Sequence, residues 1–162
     1  MEIRDATFDD APAIGTIYNH FVLTTTISFE EERATVADLG QRLAAVRDAG
    51  LPWLVAVVDG QVAAYAYATQ WRVRSAYRFS VESSVYVAPD RARCGLGRAL
   101  YSELLARLRN AGIHLVVGGI ALPNHASIAL HEMMGFEKAA HFSQVGFKFD
   151  RWIDVGYWQL RL

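Results

Sequence analysis

Apolar positions in this chain recur with two different periods, and the switches between them mark the elements. The central run is Val81 to Ala111. Val81, Ser83, Val85 and Val87 alternate with Glu82, Ser84 and Tyr86, the period of a strand. Pro89 stops it, because proline offers no N–H to a ladder. A turn rich in arginine and glycine follows from Asp90 to Gly97. Leu100, Leu104, Leu105 and Leu108 then fall on one helical face, and Gly112 sits past the end, where a helix often stops in the left-handed conformation.

The same reading extends outward. Glu2 to Ala6 alternates as a short edge strand. Thr7 to Asp10 offers helix caps, Pro12 suits a first turn, and Ile14, Ile17, Tyr18, Phe21 and Val22 line a first helix that Thr24-Thr25-Thr26 breaks. Thr35 with Asp38 caps a second helix, with Leu39, Leu43 and Val46 as its apolar face. Trp53–Val58 and Gln61–Trp71 read as strands around an Asp59-Gly60 hairpin turn, with Val62, Ala64, Ala66 and Ala68 on one face. Ile113–Ala121 is a strand, Leu122 to His125 a turn, and a short helix starting at Ser127 is closed by Gly135-Phe136. Glu137–Phe142 is a short strand, Ser143–Asp150 a loop, and Arg151–Leu160 a last strand. Its Trp152 and Trp158 are expected in the core or at a subunit interface. Three strands in succession followed by helices between later strands predict an α/β domain over residues 1–162. Its central sheet is mixed, mostly antiparallel and flanked by helices, rather than doubly wound and parallel.

Composition narrows the chemistry. A net charge of −1 argues against nucleic acid as an obligate partner, since phosphate backbones require a basic surface. One cysteine excludes an internal disulfide and suits a cytoplasmic setting. The N-terminus has no apolar run, so neither a signal peptide nor a membrane span is expected. The five histidines show no H-x-x-x-H or H-E-x-x-H spacing, so no metal is indicated.

The strand, glycine turn and helix start around Gly95 and Gly97 make a candidate anion site. Unpaired helix N–H groups, the helix dipole and Arg91, Arg93 and Arg98 would all favour a phosphate. The alternative is a tight connection whose arginines are only solvated. Neither G-x-x-x-x-G-K-[ST] nor G-x-G-x-x-G is present, which excludes two familiar phosphate loops. Arg72, Arg74 and Arg78 crowd the stretch before Glu82. They could grip an anionic ligand through planar forks, or be a solvated loop. Glu82 lies mid-strand, where a carboxylate is either catalytic, solvent-facing or paired with one of those arginines. Phe29 is either pocket-lining or a staple into the next helix.

The stretch V-Y-V-A-P-D-R-A-R-C-G-L-G-R-A-L resembles the acetyl-CoA loop of the GNAT acetyltransferases, [QR]-x-x-G-x-[GA]. Gly95 and Gly97 match, and Ala92 stands where the family has Gln or Arg. Trp71 to Val87, Leu122 to Phe136 and Asp154 to Gln159 resemble its phosphinothricin and methionine sulfoximine N-acetyltransferase branch. The resemblance implies the GNAT fold and acetyl-CoA as co-substrate. It implies a small amino acid as acetyl acceptor and a homodimer. Val85, Tyr86, Val87, Arg93, Cys94, Gly95, Leu96, Gly97, Arg98, Asn124 and Ser127 would then contact acetyl-CoA. Phe29, Arg72, Arg74 and Tyr77 would contact the amino acid. Glu82 is expected as general base and His131 as a candidate acid for the departing thiolate. A peptide N-terminal acetyltransferase and a non-catalytic acyl-CoA-binding module remain alternatives.

Overall fold

The computed structural model describes residues 1–162. Seven strands form one sheet in the order β1-β2-β3-β4-β5-β7-β6. They are β1 (Glu2–Asp5), β2 (Trp53–Val58), β3 (Gln61–Gln70), β4 (Ser80–Val87), β5 (Leu115–Ala121), β6 (Glu137–Lys148) and β7 (Arg151–Arg161). All neighbours are antiparallel except β4 and β5. Two helices, α1 (Ala11–Thr24) and α2 (Val36–Asp48), cover one face around Ile14, Val22, Leu39 and Val55. On the other, α3 (Leu96–Asn110) packs Leu100, Leu104 and Leu108 onto Ala64, Ala66, Ala68 and Val81, with α4 (His125–Met133) beside it. Burying both faces is what lets a mid-sheet strand be apolar on one side and polar only where a site opens.

Local chemistry explains the boundaries. Thr35 Oγ1 accepts the Asp38 N–H while the Asp38 carboxylate accepts the Thr35 N–H, a reciprocal cap. Asp59 and Gly60 both have positive φ, 52° and 76°, which gives the turn the twist of its flanking strands.

Two expectations need correction. The β2–β3 register shifts between Ala56 and Val57, so Ala63 is an extra residue opposite them. Ala63 therefore joins Ala64 in the α3-side core, and Val62 turns to the α1 side. Residues Ser143–Lys148 are not a loop. The strand bulges between Phe142 and Gly146, with Gln144 at φ 54°, and then pairs again through Lys148–Arg151. A bulge rich in small and polar residues has the composition of a loop, which is why the pattern misleads. The connection after it is only Phe149-Asp150, both left-handed.

The feature that positions the site is the β4–β5 junction. Its parallel pairing covers Ser80–Glu82 against Leu115–Val117 and stops there. Beyond it the strands part. Ala88 N–H bonds to Ala63 on β3, so alternation along β4 turns the peptide groups of Val85 and Val87 toward the opening.

Candidate active site at the strand fork

Glu82 stands at the last rung of the junction and its side chain faces the α1 side. It is half-buried, and burial raises its carboxyl above the ordinary glutamate range, partly opposed by the Arg72 charge. It borders a cleft of about 470 Å³ lined by Tyr18, Ser28, Phe29, Tyr86, Gly119 and Tyr157, among others. Gly119 explains the room there. A Cβ on it would come within 3.1 Å of both Glu82 Oε1 and the Tyr157 ring. Trp71 sets its ring edge-to-face on Tyr157 at 5.7 Å, and the Arg72 guanidinium lies 4.1 Å over Trp71. Arg72 thus stacks on the outer ring of an aromatic pair whose inner ring, Tyr157, lines the cleft that Glu82 borders.

The opposite wall comes from the α1–α2 loop. Tyr18 and Ser28 hydroxyls meet at 2.9 Å, and Arg42 bonds Glu30 at 2.8 Å while lying over the Tyr18 ring. Phe29 lies over Gly146 of β6, where any Cβ would overlap its ring. It is part of the cleft wall and not a helix staple. Arg72, Arg74 and Tyr77 are all exposed on the 71–79 excursion and none of the three lines this cleft; only the charge of Arg72 reaches Glu82.

The other side of the fork leads to the α3 N-terminus. Gly95 takes φ 79°, a conformation that a side chain strains even though nothing lies within 4 Å of its Cβ position. The first internal bond of α3 runs from Ala99 N–H to Gly95, so the N–H groups of Leu96, Gly97 and Arg98 are left for a ligand. A Cβ on Gly97 would sit in ordinary contact with Leu130 and Val87, at 3.4 and 3.6 Å, so β4, α3 and α4 meet at this position. Arg93, Cys94 and Arg98 are exposed around this turn. The donor set, with formal charge beside free helix N–H groups and a fork of open peptide groups beyond, fits the pyrophosphate and amide-bearing arm of acetyl-CoA. Asn124 uses its side-chain oxygen to cap α4, accepting the Ser127 N–H at 3.1 Å. The helix therefore starts two residues before Ser127, at His125.

His131 lies on α4, the helix after Asn124, where the sequence puts it. It is buried at 4% exposure on the α3 side of the sheet, the face opposite Glu82. Its Nδ1 lies 2.8 Å from the Ser127 carbonyl, which requires an N–H there and leaves Nε2 as acceptor. Nε2 takes the Tyr101 hydroxyl at 3.0 Å, and the Tyr101 oxygen accepts from Ser83 at 2.6 Å. A Cβ at Gly118 would overlap the imidazole. Burial lowers the His131 pKa, partly opposed by the Ser127 bond, and so favours the neutral ring. Both ring nitrogens are engaged by protein.

Sequence reasoning missed Tyr18, Ser28, Gly119, Tyr157 and Lys148. Tyr157 sits inside the D-V-G-Y-W-Q stretch, and its alternation along β7 was the available signal. The others are brought in by tertiary packing alone.

Comparison with known proteins follows this geometry. Residues 3–156 match the family model described as acetyltransferase (GNAT) domain. The chain is 47% identical to phosphinothricin N-acetyltransferase of Alcaligenes faecalis, over 94% of this chain and 77% of that protein. It is 42% identical to the L-methionine sulfoximine/L-methionine sulfone acetyltransferase of Salmonella typhimurium, over 100% and 95%. The crystal structure of ribosomal-protein-alanine N-acetyltransferase from Brucella melitensis superposes with a TM-score of 0.98 at 40% identity, covering 100% of both chains. That of a GNAT superfamily phosphinothricin acetyltransferase from Sinorhizobium meliloti, in complex with AcCoA, gives 0.96 at 37% identity over 99% and 88%.

Proposed function

This chain belongs to the GNAT acetyltransferases, and from that footing we propose that it moves acetyl from acetyl-CoA to the α-amine of a small amino acid or amino-acid analogue, with Glu82 as general base. One observation carries the assignment. A half-buried carboxylate with no hydrogen bond of its own stands where the acceptor cleft meets the strand fork. The relatives named for phosphinothricin and methionine sulfoximine support the acceptor class.

The chemistry follows from that placement. A free α-amine has a pKa near ~8 and is mostly protonated at neutral pH. Glu82 accepts its proton, directly or through one water, and the nitrogen adds to the thioester carbonyl. The oxygen gains charge and is met by a backbone N–H facing the fork, that of Val87. The carbonyl re-forms, the C–S bond breaks, and the departing thiolate takes up the second proton that the nitrogen sheds as it becomes an amide. His131 is not assigned that proton transfer, because both of its ring nitrogens are taken up by Ser127 and Tyr101. Arg72 is assigned the acceptor's anionic group, with Arg74 and Tyr77 at the outer rim.

Arg72 also gives a pH test. Its charge lowers the Glu82 pKa against the burial that raises it. Removing the charge leaves burial unopposed, so the acid limb of kcat in Arg72→Ala should move to higher pH. A limb that stays put or moves down would separate Arg72 from Glu82.

No helix is long and apolar enough to cross a membrane. The exposed free thiol of Cys94 suits a reducing cytoplasm, and the net charge of −1 favours small molecules over nucleic acid as partners. A second copy of this chain is the proposed cover for the apolar end of the β6–β7 hairpin. There Phe142, Val145, Phe147, Phe149 and Trp152 are 52–63% exposed. A monomeric mass in sedimentation at micromolar concentration would count against it.

The deciding experiment is thiol release from acetyl-CoA with phosphinothricin, methionine sulfoximine, the common amino acids and an alanine-terminated peptide. Turnover on the free amino acids or analogues supports the assignment. Turnover confined to the peptide favours the second reading, for which the Brucella melitensis structure is the specific pointer. Acetyl-CoA binding without any turnover leaves a binding module.

A further inference from the structure

Lys148 is the one lysine buried in the molecule, at 1% exposure, and the reaction above does not use it. It extends from the far end of β6 to the opposite side of the cleft. Its ammonium donates to the Val22 carbonyl in the last turns of α1, at 2.6 Å, and to the Ser28 carbonyl at 2.7 Å. No carboxylate closes on it as an ion pair. A buried ammonium is costly unless its hydrogen bonds are made, so the two carbonyls hold it and it holds them. The carbonyls at the end of α1 also carry the negative end of the helix dipole.

Two residues before it, Gly146 supplies the second half of the contact. It is buried under the Phe29 ring, and only the absence of a Cβ lets the ring lie there. Ser28 and Phe29 both line the acceptor cleft. The bulge at Phe142–Gly146 is what sets these two positions, since it fixes where β6 resumes pairing with β7.

We propose that Lys148 and Gly146 are positioning residues for the acceptor. Together they tie the β6 strand to the α1–α2 loop and set the distance between the Phe29 wall and Glu82. This rests on the amine-acceptor assignment for the same cleft. The α3 N-terminus, where acetyl-CoA is expected, makes no contact with this tie, so the two substrates should respond differently.

The test is Lys148→Met, which keeps the aliphatic length and removes both hydrogen bonds, with Gly146→Ala as a second variant. Steady-state constants are measured for both substrates, together with amide hydrogen exchange in the full-length protein. The KM of the amine should rise about tenfold in each variant, on the scale at which a displaced positioning group costs rate, with the KM of acetyl-CoA unchanged. In Lys148→Met the Glu30 amide, which bonds to Ser28 Oγ, should exchange faster, while amides within α3 keep their protection. Equal shifts in both KM values, or unaltered Glu30 exchange, would overturn the proposal. If wild type acetylates no amine, the acceptor assignment fails by itself and Glu30 exchange still decides the tie. If Lys148→Met does not fold, Gly146→Ala decides, and an unchanged amine KM there overturns it.

Discussion

Glu82→Gln should lower kcat by about 10²- to 10⁴-fold, the range for losing a positioned general base, while acetyl-CoA binds as before. The substitution keeps the shape and size of the side chain. It replaces a basic carboxylate oxygen with a non-basic amide and removes the charge that burial and Arg72 act on. The carboxylate makes no hydrogen bond to protein, so no partner is stranded and the fold should be unaffected. That makes the rate a clean reading of the base. The pH dependence gives a second check with a definite sign. Burial raises the Glu82 pKa, so wild-type kcat should fall as pH drops, through a limb above the usual glutamate range. The residual rate of the variant should lack that limb. Thiol release at saturating substrates from pH 5 to 9 measures both. A loss under about tenfold, with the limb retained, would move the base elsewhere in the cleft.

Tyr101→Phe should do the opposite: destabilise strongly and leave the chemistry nearly intact. The hydroxyl stands between Ser83 and His131 in a dry region, at 0% exposure. Its loss leaves His131 Nε2 without a partner and the Ser83 hydroxyl with only the longer bond to the Val117 carbonyl, at 3.4 Å. Each buried polar group left unsatisfied costs about 1–3 kcal/mol, so full loss at one group and partial loss at the other implies roughly 2–5 kcal/mol. For a domain of this size that is a fall in Tm of about 4–20 °C. In protein that remains folded, kcat should change less than about tenfold, because the chain lies across the sheet from Glu82. Thermal unfolding beside turnover at low temperature separates the two effects. A kcat loss rivalling that of Glu82→Gln would restore His131 to the reaction. An unchanged Tm would mean that water replaces the hydroxyl. The same chain sets a pH trend. His131 is held neutral, its pKa lowered by burial. Its contribution to stability is therefore complete above the ordinary histidine range and is lost as pH falls through the lowered value.

Much of the fold was legible because periodicity and caps act locally. The alternation of Val81 to Val87 identified β4 and put Glu82 opposite Val81. Thr35 with Asp38, Asp59-Gly60 and Gly112 marked boundaries that the structure keeps. Bulges were not legible. Ala63 and Ser143–Gly146 each insert residues that reverse a face or suspend pairing, and nothing in their side chains announces it. The site divided the same way. Gly95, Gly97 and Glu82 sit on elements whose geometry follows from neighbours in sequence. The direction of His131 depends on Gly118 making room on β5, and the reach of Lys148 depends on carbonyls 120 and 126 residues away. Such long-range packing leaves no periodic trace.

The short β4–β5 junction has a thermodynamic consequence. Three parallel rungs are the only strand pairing between β1–β4 and β5–β7–β6, so this seam is where the sheet opens most cheaply. A ligand whose arm lies along both sides of the fork binds the closed sheet and not the parted one. By linkage it stabilises the fold in proportion to RT ln(1 + [L]/Kd). Acetyl-CoA would then act as a removable crosslink between the two halves of the sheet. Each turnover, in releasing the coenzyme, would briefly return the protein to its looser form.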